Sequence, residues 1–468
     1  MQEAPDQRDN AVFRTDWLAS SPVFYNTQTG AISHDVLDVI DPANLEIHPE
    51  GFNNYLRFGF SVFQQTPIRH VKLLRHSSSA RISPDGRLEI KSGPDITDSW
   101  DMIPPAEESL VEDIRRRVRA WEDRVDGEII VPMTAGYDSR LLCALLRDRS
   151  RVRAYTFGRS RRQSQSEEVQ VAERLATRIG VRWCHVPLTA DHRFFDVWYD
   201  LFGPSTNAYH IFTEFFARVR EMSPSGGPLL SGIIGDAWAG SVKIPPIQSP
   251  SDLLHLGYTR WTAEASMSQF PSRDSSAERF FEENRERLQR DEIRIVEAMR
   301  CKLTFLCLLL RIPKYYGFEP WSPFLEAEVA QAMLSLPDPR RRDRRWQSEY
   351  FRDAGLDLGD HELSFDRDKM GIVFRLMRQI PRSERLDPAV LREVVKVEYV
   401  HWINKMLPRG GLAWDIAYGR RPRRLARVRG LWRIRRALRR RDRRLRAYFA
   451  YTLLKPIEKV LRSRSNAS

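Results

Sequence analysis

Cysteine is rare in this chain: only Cys143, Cys184, Cys301 and Cys307 occur in 468 residues. None stands in a C-x-x-C pair and no H-E-x-x-H is present, so neither a thiolate metal site nor a zinc-protease helix is written in the sequence. Cys143, Cys301 and Cys307 fall in apolar helical patterns and read as buried, reduced thiols. No apolar run reaches the roughly 18 residues that a membrane-spanning helix needs. The first residues, from Met1 to Asp6, are acidic and polar, which is not the pattern of a secretory signal. A cytoplasmic protein is the expectation. No internal repeat is present, and lysine is scarce against an abundance of arginine.

The chain is long enough for two or three domains, and 42% apolar residues suffice for a sizeable core. Its net charge of +13 is unevenly placed. Between Arg420 and Arg446 there are 15 arginines and one acid, Asp442, a net of +14 that leaves −1 for the rest. An argument for an anionic partner therefore concerns residues 420–446 and not the body of the chain. Leu425, Val428, Leu431, Trp432, Ile434 and Leu438 alternate with these arginines, giving a broad apolar stripe if the segment is helical. That pattern suits peripheral contact with an anionic membrane, the inner face in a cytoplasmic protein. Apart from Trp432, little aromatic interleaving with the arginines occurs until Tyr448 and Phe449, so a nucleic-acid partner is not expected.

Three regions differ in pattern. From Phe13 to Asp98, short apolar runs such as Pro22 to Tyr25, Phe60 to Phe63 and Ser79 to Ser83 are broken by turn signals, and Ser83-Pro84-Asp85-Gly86 reads as a hairpin turn. This region is expected to be mainly β. From Pro105 helical and strand-like segments alternate. Glu107 to Val125 reads as a helix, Glu128 to Met133 as a strand, Ser139 to Leu146 as a helix and Arg153 to Phe157 as a strand. Ser166 to Ile179 is a further helix and Val181 to Leu188 a third strand. A fourth strand, Pro228 to Ser231, follows a helical insertion, and Glu282 to Leu310 reads as one long helix. Such alternation implies βαβ units and a parallel sheet, an α/β fold. The boundaries are placed at 1–105 for the β-rich region, 106–385 for the α/β region and 386–468 for a helical, arginine-rich C-terminal region.

The turn Met133-Thr134-Ala135-Gly136-Tyr137-Asp138-Ser139 joins a buried strand to a helix at the carboxyl edge of that sheet, where open α/β sheets bind ligands. Hydroxyls, free backbone N–H groups and a helix N-terminus there suit a phosphate, and Asp138 beside it suits Mg²⁺. The turn resembles the S-G-G-x-D-S loop of the ATP pyrophosphatase family, in the version found in asparagine synthetases and β-lactam synthetases. Thr134 stands for the first Ser; Gly136, Asp138 and Ser139 match; Ala135 replaces a Gly, which is costly if that position needs a positive φ.

Further segments follow in the order of that family. Ser231-Gly232-Ile233-Ile234-Gly235-Asp236-Ala237-Trp238-Ala239-Gly240 is similar to S-G-x-G-x-D-E-x-x-G-G. It departs at Ile233, at Ile234 where a Gly is usual, and at Ala237 where a second acid is usual. Glu319 to Glu326 is similar to E-x-R-x-P-F-L-D, a segment that packs the core and is given no catalytic role. Lys369-Met370-Gly371 is similar to the family's K-x-G. Thr15-Asp16, Pro22 to Tyr25 and Thr66 to Val71 resemble the later half of the glutamine-amidotransferase domain that precedes such synthetases. The resemblance thus runs from Thr15 to Phe374.

The resemblance implies a Rossmann-like ATP pyrophosphatase domain, a truncated amidotransferase-like region before it and a basic helical tail. It implies ATP and Mg²⁺ as cofactors. Adenine would lie near Met133, Thr156 and Gly232, with Ser231 alongside. Pyrophosphate would lie on Thr134, Gly136 and Ser139, the metal between Asp138 and Asp236, and Lys369 would neutralise charge during catalysis. The implied activity is ATP-dependent amide formation: a small-molecule or peptide carboxylate is adenylated and passed to ammonia or an amine, which a separate protein could supply. Glutaminases of this class use an N-terminal Cys; residue 2 is Gln2, so no glutaminase activity is expected. No general base is evident, because Ile233 stands where the family has a polar side chain. Two other classes remain open: a decayed synthetase fold acting as a binding or regulatory protein, favoured by Ala135, Ile233 and Ala237, and an RNA-binding protein acting through the tail.

Overall fold

A computed structural model describes residues 11–257, 261–271, 275–358, 369–407 and 441–467. The N-terminal strands are β1 (Phe13–Arg14), β2 (Phe24–Asn26), β3 (Ile32–Ser33), β4 (Val71–Leu73), β5 (Ser78–Ile82) and β6 (Leu88–Ser92). They form two three-stranded antiparallel sheets, β1-β5-β6 and β3-β2-β4. The expected hairpin joins β5 to β6, and the Gly86 N–H donates to the Ser83 carbonyl at 2.8 Å. Two expectations fail here. Phe60 to Phe63 is not a strand; only Phe60 makes a bridge, to Thr206, and Phe63 has a φ of 52° that breaks the extended run. A helix that the β reading overlooked, α1 (Pro49–Phe58), crosses the region. Pro49 occupies its first turn and the His48 ring Nδ1 accepts from the Gly51 N–H at 2.8 Å, both N-terminal signals.

The rest is mixed α/β around a five-stranded, all-parallel sheet of β7 (Ile129–Pro132), β8 (Val152–Thr156), β9 (Arg182–His185), β10 (Gly227–Leu230) and β11 (Phe318–Trp321). Helix α2 (Glu107–Glu122) leads into β7. Helices α3 (Tyr137–Leu145) and α4 (Glu167–Ile179) connect β7 to β8 and β8 to β9, and α5 (Phe194–Phe202) and α6 (Ile211–Met222) precede β10. Successive residues of the central strands enter different cores: Ile129 and Val131 belong to one buried cluster, Ile130 and Leu229 to another. The sheet is therefore covered on both faces, which is why these strands read as continuous apolar runs. The strand β11 was not expected, because Pro320 lies inside it. It is an edge strand, where a missing N–H on the open side is tolerated.

The single helix expected from Glu282 to Leu310 is broken into Ser275–Asn284, a 3-10 turn at Arg287–Gln289, Asp291–Leu306 and Leu308–Tyr315. The break buries Leu288 and brings Arg287 to 2.6 Å from Asp95.

At the C-terminus, the helix Arg441–Ala467 enters the core, with Tyr448, Tyr451, Leu453, Leu454 and Ile457 fully buried. Pro456 lies inside it and has no N–H to give the Thr452 carbonyl. The Ala208 N–H fills that position at 3.1 Å, and the Tyr55 hydroxyl donates to the Leu453 carbonyl at 3.1 Å. Residues 420–440 of the expected basic stripe lie outside the described residues. Among the described residues no helix is long and apolar enough to cross a membrane.

Candidate functional site

The sheet order β11-β10-β7-β8-β9 reverses direction between β7 and β10. Chain connections leave those two neighbours toward opposite sides, so a crevice opens at their carboxyl ends. The loops of interest follow these same two strands. Thr134 to Gly136 joins β7 to α3, and Ser231 to Asp236 follows β10. A cavity of about 580 Å³ lies there. All ten residues singled out in the sequence line it: Met133, Thr134, Gly136, Asp138, Ser139, Thr156, Ser231, Gly232, Asp236 and Lys369.

The first loop is closed on itself by its own hydroxyls. Ser139 Oγ accepts from the Thr134 N–H at 3.1 Å, and Thr134 Oγ1 accepts from the Gly136 N–H at 3.0 Å. Ala135 is not among the residues of positive φ, so its Cβ brings no backbone strain there. Strain sits instead in the second loop, where Ile234 holds a φ of 56° while buried. A β-branched residue in that region costs about 1–2 kcal/mol, and burial of its apolar side chain offsets it. Gly232 makes the two loops fit, because a Cβ there would stand 3.0 Å from Asp138 Cβ and 3.2 Å from the Ser139 nitrogen. Thr156 lines the wall with a hydroxyl already committed: it donates to the Met133 carbonyl at 2.8 Å and accepts from Trp183 Nε1 at 3.0 Å.

Asp138, in the first turn of α3, faces the Asp236 loop. Its Oδ1 is shut off from solvent without a hydrogen-bond partner. Burial, and then the Asp236 carboxylate, push its pKa up to about 8; Arg344 and Gln347 oppose the rise. Asp236 is exposed and accepts from Ser241 Oγ at 3.0 Å. Two carboxylates that repel each other on one cavity, one with an orphaned buried oxygen, fit a hard divalent cation, which takes oxygen ligands and removes that repulsion. Gln347 is fully buried on the helix Arg345–Asp353, beside Asp138.

Lys369 reaches the cavity from a distant part of the chain and pairs with Glu167, the first residue of α4, at 3.2 Å. Its segment is seated by Gly371: a Cβ there would meet the Arg161 nitrogen at 2.2 Å, and the Ile372 N–H donates to the Arg159 carbonyl at 2.9 Å. Arg159 in turn binds Glu168 through Nε at 2.7 Å. Arg344, with φ of 57°, stacks on the Tyr137 ring at 4.6 Å. Arg159, Glu167, Glu168, Arg344 and Gln347 were not foreseen. Glu167 and Glu168 open a helix after the N-cap Ser166, where acids are common for helix-dipole reasons alone, so nothing local marked them.

The segment Pro323 to Leu325 packs as expected. Phe324 is fully buried and its carbonyl accepts from Trp238 Nε1 at 2.8 Å. Elsewhere, His76, Asp95 and Glu297 bring ligand-type atoms within 4.8 Å of one another. Arg300 Nη1 already lies 2.6 Å from Asp95 and 2.7 Å from Glu297, so a guanidinium fills the place of a cation. The four cysteines are free thiols. A scan against protein-family models finds no match to this sequence, and a search of curated proteins finds no significant relative.

Proposed function

We propose that this chain binds Mg²⁺-ATP in the crevice between β7 and β10 and uses it to activate a carboxylate for amide formation. The reading treats the parallel-sheet region as a Rossmann-like ATP pyrophosphatase domain of asparagine-synthetase type within 106–385. The observation that carries it is convergence. Ten residues chosen from four separate segments line one cavity at the strand-order reversal, with the Asp138 and Asp236 carboxylates near enough for the charge of one to raise the pKa of the other.

In this reading the N–H groups and hydroxyls of Thr134, Gly136 and Ser139 turn from closing their own loop to holding the β- and γ-phosphates. Asp138 and Asp236 would hold Mg²⁺, which supplies charge neutralisation for the leaving pyrophosphate. The substrate carboxylate attacks the α-phosphorus, the bond to the β-phosphate oxygen breaks, and pyrophosphate departs. An amine nitrogen then forms the bond to the acyl carbon as AMP leaves, and its proton passes to a base. Glu167 is suited to take that proton. It lies on the cavity, and its ion pair with Lys369 lets the lysine shift its charge toward the phosphate as Glu167 is neutralised.

Release of pyrophosphate from ATP, measured with a panel of carboxylates and hydroxylamine as the amine, tests the reading. Lys369→Ala is expected to lower the rate on the order of 10²-fold or more, as removal of a transition-state charge partner does. Absence of ATP binding by the wild-type chain refutes the proposal.

A further inference from the structure

One side of the cavity carries no phosphate chemistry. Phe157 ends the β8 connection, Phe212 and Phe215 come from α6, and Leu306 and Leu309 come from the two helices that follow one another across the sheet. Phe157 stands edge-on to Phe212 at 5.6 Å and lies 5.0 Å from Phe215. Phe215 is buried behind them, whereas Phe157, Phe212, Leu306 and Leu309 keep part of their surface open. The three rings pack on one another, and apolar surface left open on this side of the cavity gains about 25 cal/mol for each Å² a ligand covers.

Resting on the ATP-dependent reading above, we infer that the carboxylate activated here carries an apolar aryl or branched-alkyl group that packs on this wall, and not a second carboxylate. Three observations favour it. First, the described residues lining the cavity include three cations, Arg159, Arg344 and Lys369, against the four carboxylates of Asp138, Asp236, Glu167 and Glu168. Second, those cations are engaged: Arg159 with Glu168, Lys369 with Glu167, and Arg344 on the Tyr137 ring. A dicarboxylate would have to compete with the carboxylate already beside each cation, Glu168 at Arg159, Glu167 at Lys369 and Asp138 near Arg344, and a charge buried without a partner is disfavoured strongly. Third, the phenylalanine and leucine side chains of the wall offer no donor or acceptor. Adenine, with its ring nitrogens and exocyclic amine, would leave those groups unpaired against it, whereas a hydrocarbon group needs none.

The test uses the full chain and ATP–pyrophosphate exchange across aspartate, glutamate, phenylacetate, 3-phenylpropionate and 4-methylpentanoate. Exchange with the aryl and branched acids is expected to exceed that with aspartate by at least tenfold in kcat/KM. Phe212→Ser and Leu309→Gln, both at partly open positions, are expected to cost at least tenfold in kcat/KM for the preferred carboxylate. The Kd for Mg²⁺-ATP, measured by calorimetry, should stay within twofold. Preference for a dicarboxylate overturns the inference while leaving the ATP reading standing. Weakened ATP binding in both wall variants, with the KM of the carboxylate unchanged, places adenine on the wall and also overturns it. Absence of ATP binding in the wild type removes the functional reading and this inference together.

Discussion

Replacing Asp138 by Asn is expected to stabilise the ligand-free protein and to abolish its response to Mg²⁺-ATP. The wild-type carboxylate has one oxygen buried without a partner and a second carboxylate, Asp236, near enough to raise its pKa. Asn keeps a buried polar atom there but no charge, so what it removes is the penalty of a carboxylate buried near Asp236, on the order of 1–3 kcal/mol. The opposing term is the favourable place of an acid in the first turn of α3, about 0.3–1 kcal/mol. The first term is larger, so the neutral variant should gain about 1–2 kcal/mol, a rise of about 1–2 °C in the unfolding midpoint of a chain this long. The wild type at a hundredfold excess of Mg²⁺-ATP over Kd should gain about 2.7 kcal/mol from binding, and the variant almost none. Thermal or denaturant unfolding of both proteins, with and without Mg²⁺-ATP, gives the four numbers needed. A variant less stable than the wild type without ligand would make Asp138 a structural anchor. A variant that kept the full ligand shift would remove Asp138 from the metal site.

Burial holds His76 and His210 down to about 3, against 6.5 when exposed. Between those values the unfolded chain binds protons that the native chain refuses. Stability is therefore complete above pH 6.5 and lost as pH falls below it, by about 1.4 kcal/mol per pH unit for each histidine. Urea unfolding at pH 7 and pH 5.5 should show this, and His210→Phe should flatten the slope; an unchanged slope would rule His210 out as a source. Gly371→Ala, whose Cβ would crowd the Arg161 nitrogen at 2.2 Å, should displace Lys369 and lower pyrophosphate release at least tenfold with the circular dichroism spectrum unchanged. Wild-type turnover in that variant would show that the Lys369 segment need not be held there. Ending the chain at residue 440 removes the buried helix Arg441–Ala467 and should abolish soluble expression, so membrane contact has to be tested by substitution within 420–440. Changing six of those arginines to Gln should leave the unfolding midpoint in place and release the chain from anionic vesicles in a flotation assay, each arginine being worth about 1 kcal/mol at most. Equal flotation of both chains would exclude the basic segment as the contact.

Composition and periodicity determined the parallel α/β character of the chain. The apolar runs at Ile129 to Val131 and Leu229 to Leu230 are buried on both faces, and such runs are legible because every residue in them must be apolar. The turn after β7 was legible through its hydroxyls, its free backbone N–H groups and Asp138 at a helix start, and the loop after β10 through the resemblance that Gly232 and Asp236 carry. What a local pattern does not encode is distance through space. β11 was hidden by Pro320, which the strand accommodates at the sheet edge, and edge position is a property of the assembled sheet. The break before Asp291 serves a contact with Asp95, nearly two hundred residues away. Lys369 was legible as a candidate, but its partner Glu167 was not, because an acid at a helix start looks the same whether it faces solvent or a cavity. The charge state of the site, the strain at Ile234 and the aromatic wall were decided by tertiary packing alone. Each arises where segments far apart in the chain are pressed together, and only there does burial set whether a carboxylate stays charged or a ring stays open to a ligand.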